Sequence, residues 1–152
     1  MGSTRLPVQP WIGALCLVGL LGTGCGGGPK TYPVKGKVVY PDGTPLTGGI
    51  VEFEALASEV GQVNARGTIR EDGTFEVSTL FPGTDKERDG AVAGEHRVLV
   101  IPPLLTDEAM AKGAKPAVDP RYRRYETSGL KVKVNPDVDV NQITLTVKKP
   151  GQ

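Results

Sequence analysis

Leu130-Lys131-Val132-Lys133-Val134 and Ile143-Thr144-Leu145-Thr146-Val147 are the stretches on which the fold turns. In each, every second residue is a large aliphatic and the residues between are Lys or Thr. Successive side chains of an extended chain point to opposite faces, so a period of two gives one apolar and one polar face. Both stretches therefore predict β-strands with one side against a core.

The same period recurs upstream. In residues 34–40, Val34, Val38 and Tyr40 share one face, and Lys35 and Lys37 the other. In residues 50–55, Val51, Phe53 and Ala55 point inward and Glu52 and Glu54 outward. Residues 63–70 give a weaker, more polar pattern that predicts an edge strand, and residues 75–79 alternate again. Residues 96–101 are more continuously apolar, which predicts a central strand. Asp42-Gly43 and Asp72-Gly73 fall between these runs, and Asp-Gly supports the tight turns of hairpins. Gly36-x-Val38 precedes Asp42-Gly43 much as Gly67-x-Ile69 precedes Asp72-Gly73, but the spacing to the turn differs by one residue. The likeness reads as repeated turn chemistry, not an internal repeat. Seven short strands punctuated in this way predict an all-β, Ig-like β-sandwich over residues 33–149.

One segment departs from the pattern. Thr106 can cap a short helix, with Asp107 and Glu108 at its positive end, Leu105 and Met110 at staple positions, and Gly113 ending it. Residues 114–128 read as loop only. A connection this long is unusual in a compact sandwich, and long loops often carry function.

Composition bounds the chemistry. Eighteen basic and 17 acidic side chains give a net charge of +1, which argues against nucleic-acid binding through a global basic field. The 21 Gly and 13 Pro among 152 residues stay below the roughly 25–30% that marks a disordered low-complexity chain. Two Cys and one His exclude a Cys/His zinc site and a disulfide scaffold.

The N-terminus reads as an address. Arg5 precedes an apolar run, Trp11-Ile-Gly-Ala-Leu-Cys-Leu-Val-Gly-Leu-Leu-Gly22, too short for a spanning helix of roughly 20 residues. A positive start, a short apolar run and small residues predict a signal peptide over residues 1–24. The run ends in Leu21-Gly22-Thr23-Gly24-Cys25, which resembles the lipobox of bacterial lipoproteins, with Leu one place further out than usual. That resemblance implies cleavage before Cys25 and acylation of its thiol. Residues 25–32, beginning Cys25-Gly26-Gly27-Gly28-Pro29-Lys30, then form a lipidated Cys and flexible tether.

Another resemblance lies in the body. Gly36-Lys-Val-Val-Tyr-Pro-Asp-Gly-Thr-Pro-Leu-Thr-Gly-Gly-Ile-Val-Glu-Phe53 is similar to the opening of carboxypeptidase regulatory-like domains. Gly67-Thr-Ile-Arg-Glu-Asp-Gly-Thr-Phe75, Leu80-x-Pro82-Gly83 and Gly94-Glu-His-Arg-Val-Leu-Val100 extend the similarity. It implies a seven-stranded, transthyretin-like sandwich. The chain from about residue 25 to 148 also resembles small lipoproteins abundant in planctomycete-type bacteria, through its Cys-Gly-Gly-Gly start, the segment from Gly90 to Val98 and Thr127-Ser-Gly-Leu130. These motifs are turn glycines and core apolars, so they speak for fold and assign no activity.

Candidate sites are few. His96 alternates with Val98 and Val100 and, with no nucleophile motif beside it, reads as a strand residue. Asn135, Asp137, Asp139 and Asn141 recur every second residue, so their oxygens could hold calcium, or they form a polar turn between the last two strands. Arg121-Tyr122-Arg123-Arg124-Tyr125 interleaves base and aromatic. It could stack on sugars or bind phosphate, or be a solvated loop whose tyrosines cover the sandwich. Glu52 and Glu54, with Asp85, Glu87 and Asp89, offer carboxylates for hydrolysis, but alternation explains them more simply. The combined expectation is an exported, lipid-anchored envelope protein with a binding or structural role, no catalysis and no cofactor. Its partners would be the membrane, through the lipid, and an envelope protein or polysaccharide, not nucleic acid. Its partner surface would be Arg121, Tyr122, Arg124 and Tyr125. The alternatives are a carbohydrate-binding module and, behind it, a hydrolase.

Overall fold

The computed structural model describes residues 1–2, 29–57, 62–81, 83 and 87–152. All but the first two residues of the signal sequence, Cys25, residues 26–28 of the tether and Asp85 lie outside the described residues. The described chain is an all-β sandwich. Its strands are β1 (Thr31–Tyr32), β2 (Val34–Val39), β3 (Ile50–Ala55), β4 (Asn64–Thr68), β5 (Thr74–Glu76), β6 (Ser78–Leu80), β7 (Glu87–Asp89), β8 (Ala91–Val92), β9 (Gly94–Ile101), β10 (Leu130–Val134) and β11 (Asn141–Thr146). A six-stranded sheet runs β10-β9-β3-β4-β6-β7, a three-stranded sheet β11-β2-β5, and β1 pairs with β8.

The core lies between the two larger sheets, where the alternation predicted it. Val34, Val38, Phe75 and Leu145 come from the small sheet; Val51, Phe53, Ala65, Val98, Val100 and Val134 come from the large one. Phe53 and Phe75 meet across the gap, ring centroids 6.1 Å apart and tilted by 56°, an arrangement aromatic pairs favour. Close approach explains Gly36. A Cβ there would stand 2.3 Å from the Ile143 carbonyl oxygen and 2.5 Å from the Phe75 ring, inside any allowed contact. The two Asp-Gly turns are chemical copies. Asp42 accepts from the backbone N–H and hydroxyl of Thr44 at 2.9 and 2.6 Å, and Asp72 does the same with Thr74. Gly73 takes φ of 80°, the left-handed region the turn requires.

Three expectations change. Residues 63–70 do not form an edge: β4 lies between β3 and β6. Its polar residues Asn64, Arg66 and Thr68 alternate with buried Ala65 and Gly67, so the polarity marks an open outer face and not a free side. Residues 75–79 split, because the chain leaves the small sheet after β5 and enters the large one at β6. Buried Val77 is the crossing point, and its N–H donates to the Val34 carbonyl at 3.3 Å. Glu87 and Asp89, which no strand pattern in the sequence covered, belong to β7.

The long connection holds more than one short helix. Besides α1 (Asp107–Ala111), a 3₁₀ helix spans Pro120–Arg123 and α2 spans Tyr125–Ser128. The register gives the reason. β10 pairs only with Gly94 to Val98 of β9, which leaves the last three residues of β9 without a strand on that side. The 3₁₀ helix and α2 pack on β9 and cover that edge, one of the standard ways of closing an exposed strand. The hydroxyl of Ser128 donates to the Val98 carbonyl at 2.6 Å, at the point where strand pairing stops.

Candidate functional site

Several hydrogen bonds fix which end of the sandwich carries which feature. At one end, Thr31 and Tyr32 pair with Val92 and Ala91, and the Pro33 carbonyl accepts from the N–H of Asn141 at 2.9 Å. Six residues of β2 later, at roughly 3.3 Å each, the Tyr40 hydroxyl donates to the Ala117 carbonyl at 2.9 Å. Nearby, the N–H of Asp119 donates to the Lys148 carbonyl at 2.8 Å. The chain thus enters the domain at one end and the 117–124 segment leaves from the other.

That segment is built as a rigid frame. Asp119 caps the 3₁₀ helix by accepting from the N–H of Arg121 at 3.0 Å, and Pro120 follows at the first helical position, where its missing N–H costs nothing. This hydrogen bond is the main reason the Asp119 carboxyl sits below its usual range, with the Arg121 side chain adding to it. Asp119-Pro120, and Gly129 at the end of α2, were start and stop signals legible in the sequence, and the loop reading of residues 114–128 missed them. Val118 is fully buried and Tyr122 is 7% exposed within the main core. The Thr127 hydroxyl donates to the Arg121 carbonyl at 2.6 Å, tying α2 back to the 3₁₀ helix.

The four residues expected to form a partner surface therefore divide. Arg121 and Arg124 are exposed, but Tyr122 is a core residue and Tyr125 is half-buried. The Tyr125 hydroxyl donates to Glu52 at 2.8 Å, and Arg97 lies 5.8 Å from its ring centroid. Burial and the adjoining Glu52 carboxylate push its phenol far above the ordinary tyrosine range, so it stays a hydrogen-bond donor. The tyrosines fill space because their rings are the largest apolar surfaces in the segment. The arginines beside them remain outside, where their charge stays hydrated. An open pocket of about 560 Å³ is lined by Pro120, Arg121, Arg123, Arg124 and Thr127. Arg123 was not among the expected contacts, and the alternation of arginine with tyrosine was the signal for it.

The other candidates are occupied by structure. His96 is 1% exposed, packs edge-on to Phe53 at 6.1 Å and lies 3.2 Å from the Gly94 carbonyl through Nδ1. Burial lowers its pKa, so the ring is held neutral. Glu52 accepts from Asn64 at 3.0 Å as well as from Tyr125. Glu54 pairs with Arg97 and accepts from Gln62 at 2.9 Å. Each carboxylate of the suggested hydrolytic set on β3 is thus tied into a polar network on the sheet's outer face, a network that periodicity alone could not assemble. Glu87 accepts from the hydroxyl of Ser78 on the neighbouring strand.

Two of the proposed calcium oxygens, those of Asn135 and Asn141, are engaged in hydrogen bonds to the backbone. Asn141 is buried, accepts from the N–H of Asn135 at 2.7 Å and donates to the carbonyls of Pro33 and Asn135. Asn135 in turn accepts from the N–H of Asp137 at 2.9 Å. Those bonds describe a polar turn pinned to the start of β2, with Asp137 and Asp139 exposed outside it. Among the described residues, no cluster of three or more His, Cys, Asp or Glu side chains could hold a metal, and no helix is long and apolar enough to cross a membrane.

No family model and no curated protein matches the chain. Among solved structures, it is similar to BcpA, the major pilin subunit of Bacillus cereus, at 11% identity over 80% of this chain and 31% of that one, with a TM-score of 0.43. It is similar also to a 9R-lipoxygenase from Cyanothece PCC8801 at 13% identity over 79% of this chain and 16% of that one, with a TM-score of 0.38. The chain spans less than a third of the length of either structure.

Proposed function

We propose that this chain is an exported, lipid-anchored protein of the bacterial cell envelope, held on the non-cytoplasmic side of a membrane by acyl chains on Cys25. Its transthyretin-like sandwich, of the carboxypeptidase regulatory-like kind, serves a binding or structural role and no catalytic one. The observation that carries this reading is the Leu21-Gly22-Thr23-Gly24-Cys25 motif after a short apolar run, and the opposition of the domain's two ends is compatible with it. The segment leading back to Cys25 enters at one end, and the arginine pocket lies toward the other, so a tethered domain would present the pocket away from its anchor. Stable anchoring requires more than one acyl chain, because a single chain binds only marginally. The occupied carboxylates of Glu52 and Glu54 weigh against hydrolysis, and the burial of Tyr122 with the bonding of Tyr125 to Glu52 weighs against a carbohydrate-binding module that stacks sugars on aromatic rings.

The test is Cys25→Ser in the full chain. The parent is expected to incorporate a labelled fatty acid and to sediment with membranes, and the Ser variant to do neither. Fatty-acid labelling of the Ser variant, or its full retention on membranes, would refute the anchor.

A further inference from the structure

We infer that the pocket of Arg121, Arg123 and Arg124 binds the carboxylate or phosphate groups of an acidic envelope polysaccharide. The inference rests on the reading that this domain is tethered at its opposite end. Most other arginines of the described chain are committed. Arg97 pairs with Glu54, Arg70 with Glu76 and Thr74, and Arg88 donates to the Pro29 carbonyl at 3.3 Å, whereas Arg66 stands across from Glu52 in register but makes no side-chain hydrogen bond or ion pair among the described residues. Arg121 lies 3.1 Å from Asp119. Arg123 and Arg124, like Arg66, are exposed and have no hydrogen-bond or ion-pair partner for the guanidinium among the described residues, but these two are adjacent in the chain and line one pocket. Three arginines thus line one pocket, and Asp119, whose carboxylate meets Arg121, is not among its lining residues. Glu126, exposed on α2, does not line it.

The Arg121 charge is met by Asp119, and no ion pair among the described residues meets those of Arg123 and Arg124, which leaves both open to an external anion. The planar fork of arginine matches the two oxygens of a carboxylate or phosphate, and such paired hydrogen bonds are roughly twice as strong as neutral ones. The frame beneath is fixed by the Asp119 cap, the Thr127 hydroxyl, the buried Tyr122 ring and the N–H of Ser128 on the Arg124 carbonyl at 3.0 Å. The backbone cost of arranging the cations is therefore met on folding. A pocket of about 560 Å³ has the size of a small-molecule site. It has no aromatic anchor of the kind that dominates protein–protein contacts, because Tyr122 points into the core. It faces away from the tethered end, which disfavours the headgroups of the anchoring membrane. An open, cationic, non-aromatic pocket suits a repeating polyanion, whose successive groups compensate for weak single contacts.

The test measures binding of the full chain to five probes: polygalacturonate, its methyl ester, phosphomannan, uncharged mannan and polyglutamate. The expected result is binding to polygalacturonate, phosphomannan or both, which identifies the oxyanion, with neither uncharged polymer retained. Arg123→Gln/Arg124→Gln is expected to weaken binding at least tenfold, Arg123→Lys/Arg124→Lys to weaken it less, and Lys131→Gln/Lys133→Gln on β10 to leave it unchanged. Both arginines are exposed and unpaired, so an unchanged melting curve verifies folding of the Gln variant. The inference fails if that variant binds as the parent does, if no polyanion binds, or if the uncharged polymers bind equally. It fails also if polyglutamate binds more tightly than either glycan, which would assign the pocket to an acidic protein. Membrane retention of each variant is read separately. Loss of the anchor with intact arginine-dependent binding refutes the tethering alone, and the converse refutes the ligand alone.

Discussion

Residues 104–116 and residues 117–128 belong to one connection between β9 and β10, and they behave as different kinds of matter. No residue of the first half is buried; Leu104 is 87% exposed and Met110 53%. Its helix α1 is held by its own chemistry, the Thr106 hydroxyl accepting from the N–H of Ala109 at 3.2 Å and Lys112 donating to Glu108 at 2.6 Å. The second half is held by the body. Val118 and Tyr122 enter the core, Ser128 bonds the end of the β9–β10 pairing, and Tyr125 reaches over the outer face to Glu52. Length made the whole connection resemble one functional excursion. The difference teaches that a long connection can be part cover and part display, and that buried aromatic surface separates the two.

The sharpest way to break this contrast is Tyr122→Ala. If the second half is core, truncating the ring should cost about 3–5 kcal/mol, as other aromatic truncations in cores do, and lower the midpoint of a denaturant melt accordingly. A change under about 0.5 kcal/mol, the usual scale for surface sites, would return Tyr122 to the surface. Pairing Tyr122→Ala with Tyr125→Ala would therefore not isolate a binding defect, because the pair should unfold the domain before it probes a partner.

Next in size is Ser128→Ala. It removes a buried donor from the Val98 carbonyl and should destabilise by about 1–3 kcal/mol, read in the same melt. An unchanged midpoint would mean that water or the backbone replaces the hydroxyl.

Acid probes the body on which the second half depends. His96 is the chain's one histidine, and burial holds its folded pKa below the unfolded value. The folded state therefore binds the proton less readily than the unfolded state. The stability this group contributes is fully present above the unfolded pKa of about 6.5 and is lost as pH falls from there through the folded pKa. Thermal midpoints measured between pH 7.5 and 5 should fall in the parent and lose that slope in His96→Gln. An equal slope in both would place the titrating group elsewhere.

The smallest effect belongs to the first half. Replacing residues 104–116 by a short Gly/Ser linker removes no buried side chain and changes loop closure only logarithmically, so stability should shift by less than about 1 kcal/mol. Loss of cooperative unfolding in that variant would show that α1 covers the core after all.

How far the sequence could be read follows from the range of the interactions concerned. Alternation in residues 34–40, 50–55 and 130–134 depends on neighbours two positions apart, and so it located strands and core-facing residues without any tertiary knowledge. The Asp-Gly turns and the Thr106 cap close within a few residues and were equally visible. The lone His and the missing nucleophile already marked His96 as a strand residue. Which strand lies beside which was not visible, because pairing joins residues far apart in the chain. The polar pattern of β4 could not distinguish an edge from an open face, and the crossing at Val77 leaves no mark on a period of two. The carboxylates of Glu52 and Glu54 stood free in the sequence until Asn64, Arg97 and Tyr125 arrived from three other elements. The residues Arg121 to Tyr125 were legible as a cluster of cations and rings. Their division into a buried Tyr122, a half-buried Tyr125 and exposed arginines was decided by the three residues of β9 that β10 leaves unpaired, a gap that exists only once the sheet has formed.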